Sequence, residues 1–144
     1  MQLSSFVSVV VALCMLSSSL ARVSHITTPA QVDADKPFKV TLHTEKMDGW
    51  SDYSVIFGMK VTPLPPCDTC IGTPVSSAFL RTKHWQTGDG SFPEYIAAPS
   101  HAGTYNLTAV ITSVYTNGIY GPETGIRYYS TKVQVGKQSP HVVY

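Results

Sequence analysis

The sequence predicts an all-β protein, an immunoglobulin-like β-sandwich of about seven strands. Charged residues make up 13% of the chain, about half the share of roughly 25% in an average soluble domain. The low share of charged residues is made up by Ser, Thr, Tyr, Gly and Pro, which favour strands and tight turns. Apolar residues alternate with polar ones in short runs, and no stretch shows helical spacing, so sheets are expected throughout.

The strands are predicted from these alternating runs, each of which gives one buried and one solvated face. The four clearest runs are residues 38–42, 53–61, 105–111 and 129–135. Shorter candidates lie at residues 23–27, 77–83 and 95–98. Short strands separated by frequent turn residues are typical of a sandwich.

A local pattern before the third clear run supports this fold class. The residues are Gly103-Thr104-Tyr105-Asn106-Leu107, which resemble the tyrosine corner of immunoglobulin-like sandwiches, with Leu107 where an immunoglobulin has its second Cys. The alternative is an ordinary half-buried tyrosine at the start of a strand.

The chain is predicted to hold one domain between two terminal segments: residues 1–21 as a signal peptide, 22–137 as the sandwich and 138–144 as a tail. Residues 7–16 form a short uncharged apolar run, and Ser19 and Ala21 suit the positions before a signal-peptidase cut, which places Arg22 first in the mature chain. No second apolar segment follows. We therefore expect a secreted protein without a membrane anchor.

The charge balance argues against polyanionic partners. Ten Lys and Arg residues stand against nine Asp and Glu residues, for a formal net charge of +1. A nucleic-acid interface needs a basic patch or stripe. No nucleic-acid partner is expected.

Two cysteines remain after the predicted signal peptide, Cys67 and Cys70. In a secreted protein we interpret them as a disulfide that closes one short loop. A redox dithiol favours a helix N-terminus, whereas two prolines precede Cys67. A zinc site would require further ligands.

The predicted topology brings two loops to one end of the sandwich, residues 45–52 and 113–125. Aromatic residues in these loops are Trp50, Tyr115 and Tyr120, and we predict that they bind a partner because aromatic residues dominate many interfaces. Trp85, in the connection of residues 84–90, is expected at the same end. The alternative for each ring is that it closes the end of the core.

No enzyme motif is present. The five histidines are scattered, and HExxH, HxH and GxSxG are all absent. We predict a protein that is not an enzyme, has no cofactor or metal and is a monomer. Asn106-Leu107-Thr108 is a glycosylation sequon, and alternation places Asn106 on the solvated face of its strand; an unmodified asparagine is the alternative.

Several segments together resemble one family of secreted fungal proteins. Ile26-Thr27-Thr28-Pro29, residues 37–44 and Tyr53-Ser54-Val55-Ile56-Phe57-Gly58 are similar to segments of the Nis1 family, and so are Leu107-Thr108-Ala109 and Ser113-Val114-Tyr115. The resemblance extends from about Ile26 to Gly136. The departures are the Pro65–Cys70 segment and residues 138–144.

The resemblance implies a fungal effector that acts on plants, in the host apoplast or inside host cells. Nis1 proteins are expected to bind host receptor-like kinases, namely the co-receptor of surface immune receptors and a receptor-like cytoplasmic kinase, and so to suppress pattern-triggered immunity. Some members provoke host cell death. The alternative function is a module that binds or cleaves cell-wall polysaccharide, since exposed aromatic rings suit both roles.

Overall fold

Eight β-strands make up the computed structural model, which describes residues 21–47, 49–62, 69–80, 90–117 and 121–136. The strands are β1 (Ala21–Thr27), β2 (Gln31–Asp33), β3 (Pro37–Lys46), β4 (Trp50–Val61), β5 (Thr73–Phe79), β6 (Gly90–Ala97), β7 (Gly103–Asn117) and β8 (Gly121–Gly136). Within these ranges there is no α-helix, and so none that has the length and apolarity to cross a membrane. The all-β prediction is confirmed.

The strands form two sheets. One has the order β1-β3-β6 and the other the order β2-β8-β7-β4-β5. Neighbouring strands are antiparallel apart from β2, which pairs parallel with β8. The two sheets face each other across a single core, so the architecture is a β-sandwich; the finer immunoglobulin-like type stays a prediction.

The core is built from alternate residues of both sheets, as the sequence pattern predicts. Fully or almost fully buried side chains come from β1, β3 and β6 in one sheet and from β4, β7 and β8 in the other. They include Val40, Leu42, Val55, Phe57, Leu107, Ala109, Ile111, Val133 and Val135. The clearest alternating runs of the sequence therefore supply the centre of the core.

The strands differ from the prediction in several places. Residues 45–52, predicted as a loop, are partly strand, since β3 ends at Lys46 and β4 begins at Trp50. The strand expected at residues 77–83 is β5, which begins earlier, at Thr73, and ends at Phe79. The three-residue strand β2 was not expected, because its pattern is too short to show a period.

Residues 113–125, predicted as a loop, lie mostly within β7 and β8, which extend to Asn117 and begin again at Gly121. Val114, Tyr115 and Thr116 are good strand formers, and they pair with Thr124, Glu123 and Pro122 on β8.

Tyr105 makes the hydrogen bond expected at a tyrosine corner. Its side chain is buried, and its hydroxyl donates to the backbone carbonyl of His101 at 2.9 Å. The bond holds the connection before β7 against the first residues of that strand.

Candidate partner-binding site

Two of the three predicted partner-binding residues lie together at one end of the sandwich. Trp50 begins β4, and its register partner on β7 is Tyr115. The two ring centroids are 5.0 Å apart, with an angle of 33° between the ring planes. Tyr120 and Trp85 lie outside the described residues. The expected convergence of residues 45–52 with the end of β7 is therefore present.

Glycine allows the backbone to approach the Tyr115 ring closely. Gly49 has a φ of +80°, and a Cβ atom there would lie 2.6 Å from Cε2 of Tyr115. The carbonyl of Gly49 accepts a 2.8 Å hydrogen bond from the amide of Thr116. Only glycine satisfies both the left-handed backbone and the space. The position of the ring is thus set by the backbone beside it.

A cation covers the Trp50 ring. The guanidinium carbon of Arg22 lies 4.7 Å from the ring centroid, within the range of cation–π attraction. Nη1 of the same guanidinium donates to Sδ of Met47 at 2.7 Å. We call these four residues, Arg22, Met47, Trp50 and Tyr115, the tip cluster. All four are half-buried, so each side chain both packs within the molecule and presents surface to solvent.

A buried ion pair lies directly below the tip cluster. Nη2 of Arg127 on β8 donates to Oδ1 of Asp52 on β4 at 2.6 Å, and the Asp52 side chain is only 1% exposed. Ser113 on β7 also donates to Oδ1 of Asp52, at 2.6 Å. All three side chains belong to the five-stranded sheet.

The same group binds the backbone of the opposite sheet. The Val23 amide on β1 donates to Oδ2 of Asp52 at 2.6 Å. The Val23 carbonyl accepts from Nη1 of Arg127 at 2.6 Å and from the hydroxyl of Tyr129 at 2.7 Å. Asp52, Ser113, Arg127, Tyr129 and the Val23 backbone are called the polar joint below, since they connect the two sheets of the sandwich.

Two β-bulges make the polar joint possible. The pairing of β1 with β3 shifts between Val23 and His25, and that of β4 with β7 shifts between Asp52 and Ser54. A bulge adds a residue to one strand and turns its neighbours. The first bulge interrupts β1 beside the peptide groups of Val23, which bond across the sandwich rather than only within their own sheet. Sequence reasoning missed this joint; an Asp between aromatic residues at the start of a strand was its one visible sign.

Among the described residues, no group of three or more His, Cys, Asp or Glu side chains is close enough to hold a metal ion. His25 and His43, which are register partners on β1 and β3, stack with their centroids 4.2 Å apart. Thr27 Oγ1 lies 2.9 Å from Nε2 of His43.

Two further predicted sites are a disulfide and a glycosylation site. Cys70 is exposed, while Cys67 is outside the described residues, so their disulfide stays a prediction. Asn106 is half-buried on β7 and lies in register between Lys60 on β4 and Lys132 on β8. Its glycosylation likewise stays a prediction.

A cleft of about 930 Å³ lies at the end of the sandwich opposite the tip. Its walls are mainly apolar and come from the end of β4, the start of β5 with the residues before it, the residues around the end of β6 and the start of β7. They include Met59, Val61, Ile71, Val75, Ala98 and Tyr105. The sequence pattern did not predict it, because the wall residues come from segments far apart in the chain.

Comparison with known families identifies the chain. The Nis1 family model matches residues 19–134, which is most of the sequence and nearly all of the described sandwich. The chain belongs to the Nis1 family. The resemblance seen in the sequence is therefore confirmed, and Nis1 membership indicates an effector-like protein. Comparison with curated proteins gives no significant match.

Proposed function

We propose that this Nis1 protein is a secreted effector that binds kinases associated with plant immune receptors and so suppresses pattern-triggered immunity. Membership of the Nis1 family supports the effector class. The expected partners are the co-receptor kinase and a receptor-like cytoplasmic kinase, with host cell death as a further outcome. Secretion from a cut before Arg22, the Cys67–Cys70 disulfide and the absence of enzymatic activity belong to the same proposal.

The observation that carries the binding proposal is the tip cluster. Trp50 and Tyr115 are large aromatic residues held in one place by a backbone contact and by Arg22. Anchors that are ordered before binding lose little conformational entropy when the complex forms. Trp, Tyr and Arg are also the residues most often found to dominate binding energy. The tip is therefore better suited to a protein partner than a flexible loop of the same composition.

The alternative function, binding of cell-wall polysaccharide, is less well supported by this geometry. Stacking on a flat sugar chain favours rings that share a plane and are open on one side. The Trp50 and Tyr115 rings are inclined at 33° and half-buried. One face of Trp50 is also covered by the Arg22 guanidinium.

The test compares alanine variants of the three residues predicted to bind the partner with a matched aromatic variant elsewhere. Trp50→Ala, Tyr115→Ala and Tyr120→Ala are each expected to weaken binding to the purified kinase domains by about 30-fold, the effect of a hot-spot residue. Tyr95→Ala removes a ring that is 66% exposed on the other sheet and should leave affinity unchanged. Affinity is measured by calorimetry, with a thermal melt for every variant.

Two results would contradict the proposal. Tip variants that remain folded and bind as wild type would place the interface elsewhere. Sedimentation of the protein with chitin or cellulose, lost in the tip variants and accompanied by no kinase binding, would favour the polysaccharide function.

A further inference from the structure

The tip cluster contains one of the two methionines that remain after the predicted signal peptide. Met47 lies between β3 and β4 and is half-buried. The other is Met59 on β4, which is 4% exposed and belongs to the hydrophobic core. The binding role proposed for the tip rests on its aromatic rings and gives the Met47 sulfur no task.

The Arg22 guanidinium beside this sulfur is incompletely paired. Its Nη1 donates to Sδ of Met47 at 2.7 Å, but a thioether is only a weak acceptor. Its Nε is buried and donates to no acceptor among the described residues. Buried donors normally have good partners, and a guanidinium pairs best with oxygen atoms. A cation that lacks oxygen acceptors thus lies against an oxidisable sulfur.

We propose that Met47 is a site of reversible oxidation by hydrogen peroxide. A sulfur lone pair attacks one peroxide oxygen and the O–O bond breaks. The transferred oxygen gives its proton to the other oxygen, which leaves as water. The sulfur loses two electrons, the peroxide gains them, and Met47 becomes methionine sulfoxide, which sulfoxide reductases return to methionine. The new oxygen is a stronger acceptor than the sulfur that carries it, so the Arg22 guanidinium stabilises the product.

The fold directs this reaction to one of the two methionines. A methionine is oxidised only as fast as peroxide reaches its sulfur. Met59 borders the cleft opposite the tip, yet only 4% of its surface is exposed. Met47 is half-buried at the end of the sandwich. The first methionine oxidised in the folded chain is therefore expected to be Met47.

Oxidation of Met47 changes the surroundings of Trp50. The 2.7 Å between Sδ of Met47 and Nη1 of Arg22 leaves no room for an oxygen between them, because an N–H donor and its oxygen acceptor are by themselves about 2.9 Å apart. The guanidinium must therefore move to donate to the sulfoxide. The same guanidinium covers the Trp50 ring, 4.7 Å from its centroid. Oxidation thus weakens the cation–π contact and makes the tip more polar.

The consequence for a partner rests on the proposed function. A Trp50 ring that loses the cation over it is less ordered before binding, and ordering it then costs affinity. Loss of an exposed cation–π contact corresponds to about a fivefold loss of affinity. Peroxide should therefore weaken binding at the tip, and sulfoxide reductase should restore it.

Peptide mass spectrometry of the peroxide-treated chain that begins at Arg22 tests the site. In the folded protein the Met47 peptide should gain the mass of one oxygen at least about tenfold faster than the Met59 peptide. In urea the two peptides should gain it at equal rates, because unfolding removes the difference in access. Met47→Leu, which keeps an apolar side chain of similar volume, should leave the folded protein with almost no methionine sulfoxide.

Tryptophan fluorescence in a Trp85→Phe background tests the effect on the tip, since Trp50 is then the only tryptophan. Oxidation should shift the emission to longer wavelength, and sulfoxide reductase should reverse the shift, whereas Met47→Leu should not respond. Calorimetry with the purified kinase domains, after the peroxide is removed, should give an affinity about fivefold weaker for the oxidised protein. Peroxide should not change the affinity of Met47→Leu.

Three results would overturn this inference. One is oxidation of Met59 as fast as that of Met47 in the folded protein. Another is complete oxidation of Met47 that leaves the Trp50 emission and the kinase affinity unchanged. The third is an equal response of wild type and Met47→Leu to peroxide, which would place the change at another residue. A protein that binds no kinase in either state contradicts the proposed function alone, because the mass and the fluorescence decide on Met47 by themselves.

Discussion

At the scale of single residues, Asp52 is a buried carboxylate that connects three other strands to β4. Its carboxylate accepts hydrogen bonds from Arg127, Ser113 and the Val23 amide, and it is almost entirely shielded from water. A buried charge is tolerated only where such partners replace the lost hydration. The hydrogen bonds of Asp52 therefore form only when β1, β7 and β8 are in their native positions.

We predict that Asp52→Ala lowers the free energy of unfolding by about 3 kcal/mol, because it leaves the Arg127 guanidinium without its counter-ion in a largely buried position. Urea denaturation followed by circular dichroism measures the loss. Arg127→Ala is expected to be similarly destabilising, since it leaves the Asp52 carboxylate uncompensated.

The matched control is an ion pair at the surface. Lys36 and Asp33 are 2.9 Å apart, and their side chains are 58% and 56% exposed. Lys36→Ala should cost less than about 1 kcal/mol, as is usual for exposed pairs. Equal losses for Asp52→Ala and Lys36→Ala would show that the polar joint does not hold the sheets together.

At the scale of elements, the segment before β5 packs directly on β4. A Cβ atom at Gly58 would overlap the carbonyl oxygen of Ile71. Gly72, which has a φ of +74°, approaches the backbone of Met59 in the same way. The absence of a side chain at Gly58 thus lets the chain cross the edge of the sheet before it pairs as β5.

We predict that Gly58→Ala lowers the free energy of unfolding by about 2 kcal/mol, because the segment must move away from β4. Gly103→Ala is the control, since the nearest atom to its added Cβ is Cε2 of Tyr105 at an ordinary 3.5 Å. That substitution should change stability by less than about 1 kcal/mol. Thermal and urea unfolding of both variants give the comparison, and an unchanged Gly58→Ala protein would show that the contact is dispensable.

At the scale of the whole molecule, the predicted cleavage site falls inside the sandwich. β1 begins at Ala21, which pairs with Lys46 and is buried, and Arg22 follows as a member of the tip cluster. A cut before Arg22 removes one strand residue and retains the cation over Trp50. A cut further along the chain would remove that cation.

We predict that the secreted protein begins at Arg22, because Ser19 and Ala21 suit signal peptidase. Intact mass and N-terminal sequencing of protein from culture medium measure the start. Ala21→Arg should block this cut, since a large charged residue does not fit the peptidase. A mature chain that begins at His25 would lack Arg22 and would contradict the tip cluster as described.

Contacts that follow from local backbone geometry were predictable from the sequence. The period of two in residues 38–42 and 105–111 specified which side chains are buried, because alternation along a strand follows from local backbone geometry. The convergence of Trp50 with Tyr115 followed from the order of strands expected in a sandwich. Membership of the Nis1 family was also visible in the sequence.

The polar joint was decided only by tertiary structure, and so was the alignment of exposed side chains across the five-stranded sheet. Asp52 and Arg127 are 75 positions apart in the chain. The contact between them depends on two bulges that no residue pattern predicts. Ile56 and Tyr128 come from strands separated by β7, and their alignment across the sheet depends on register. The sequence by itself determined the fold class and the core faces, since these arise from local periodicity; long-range register and packing determined where a buried charge and an exposed surface lie.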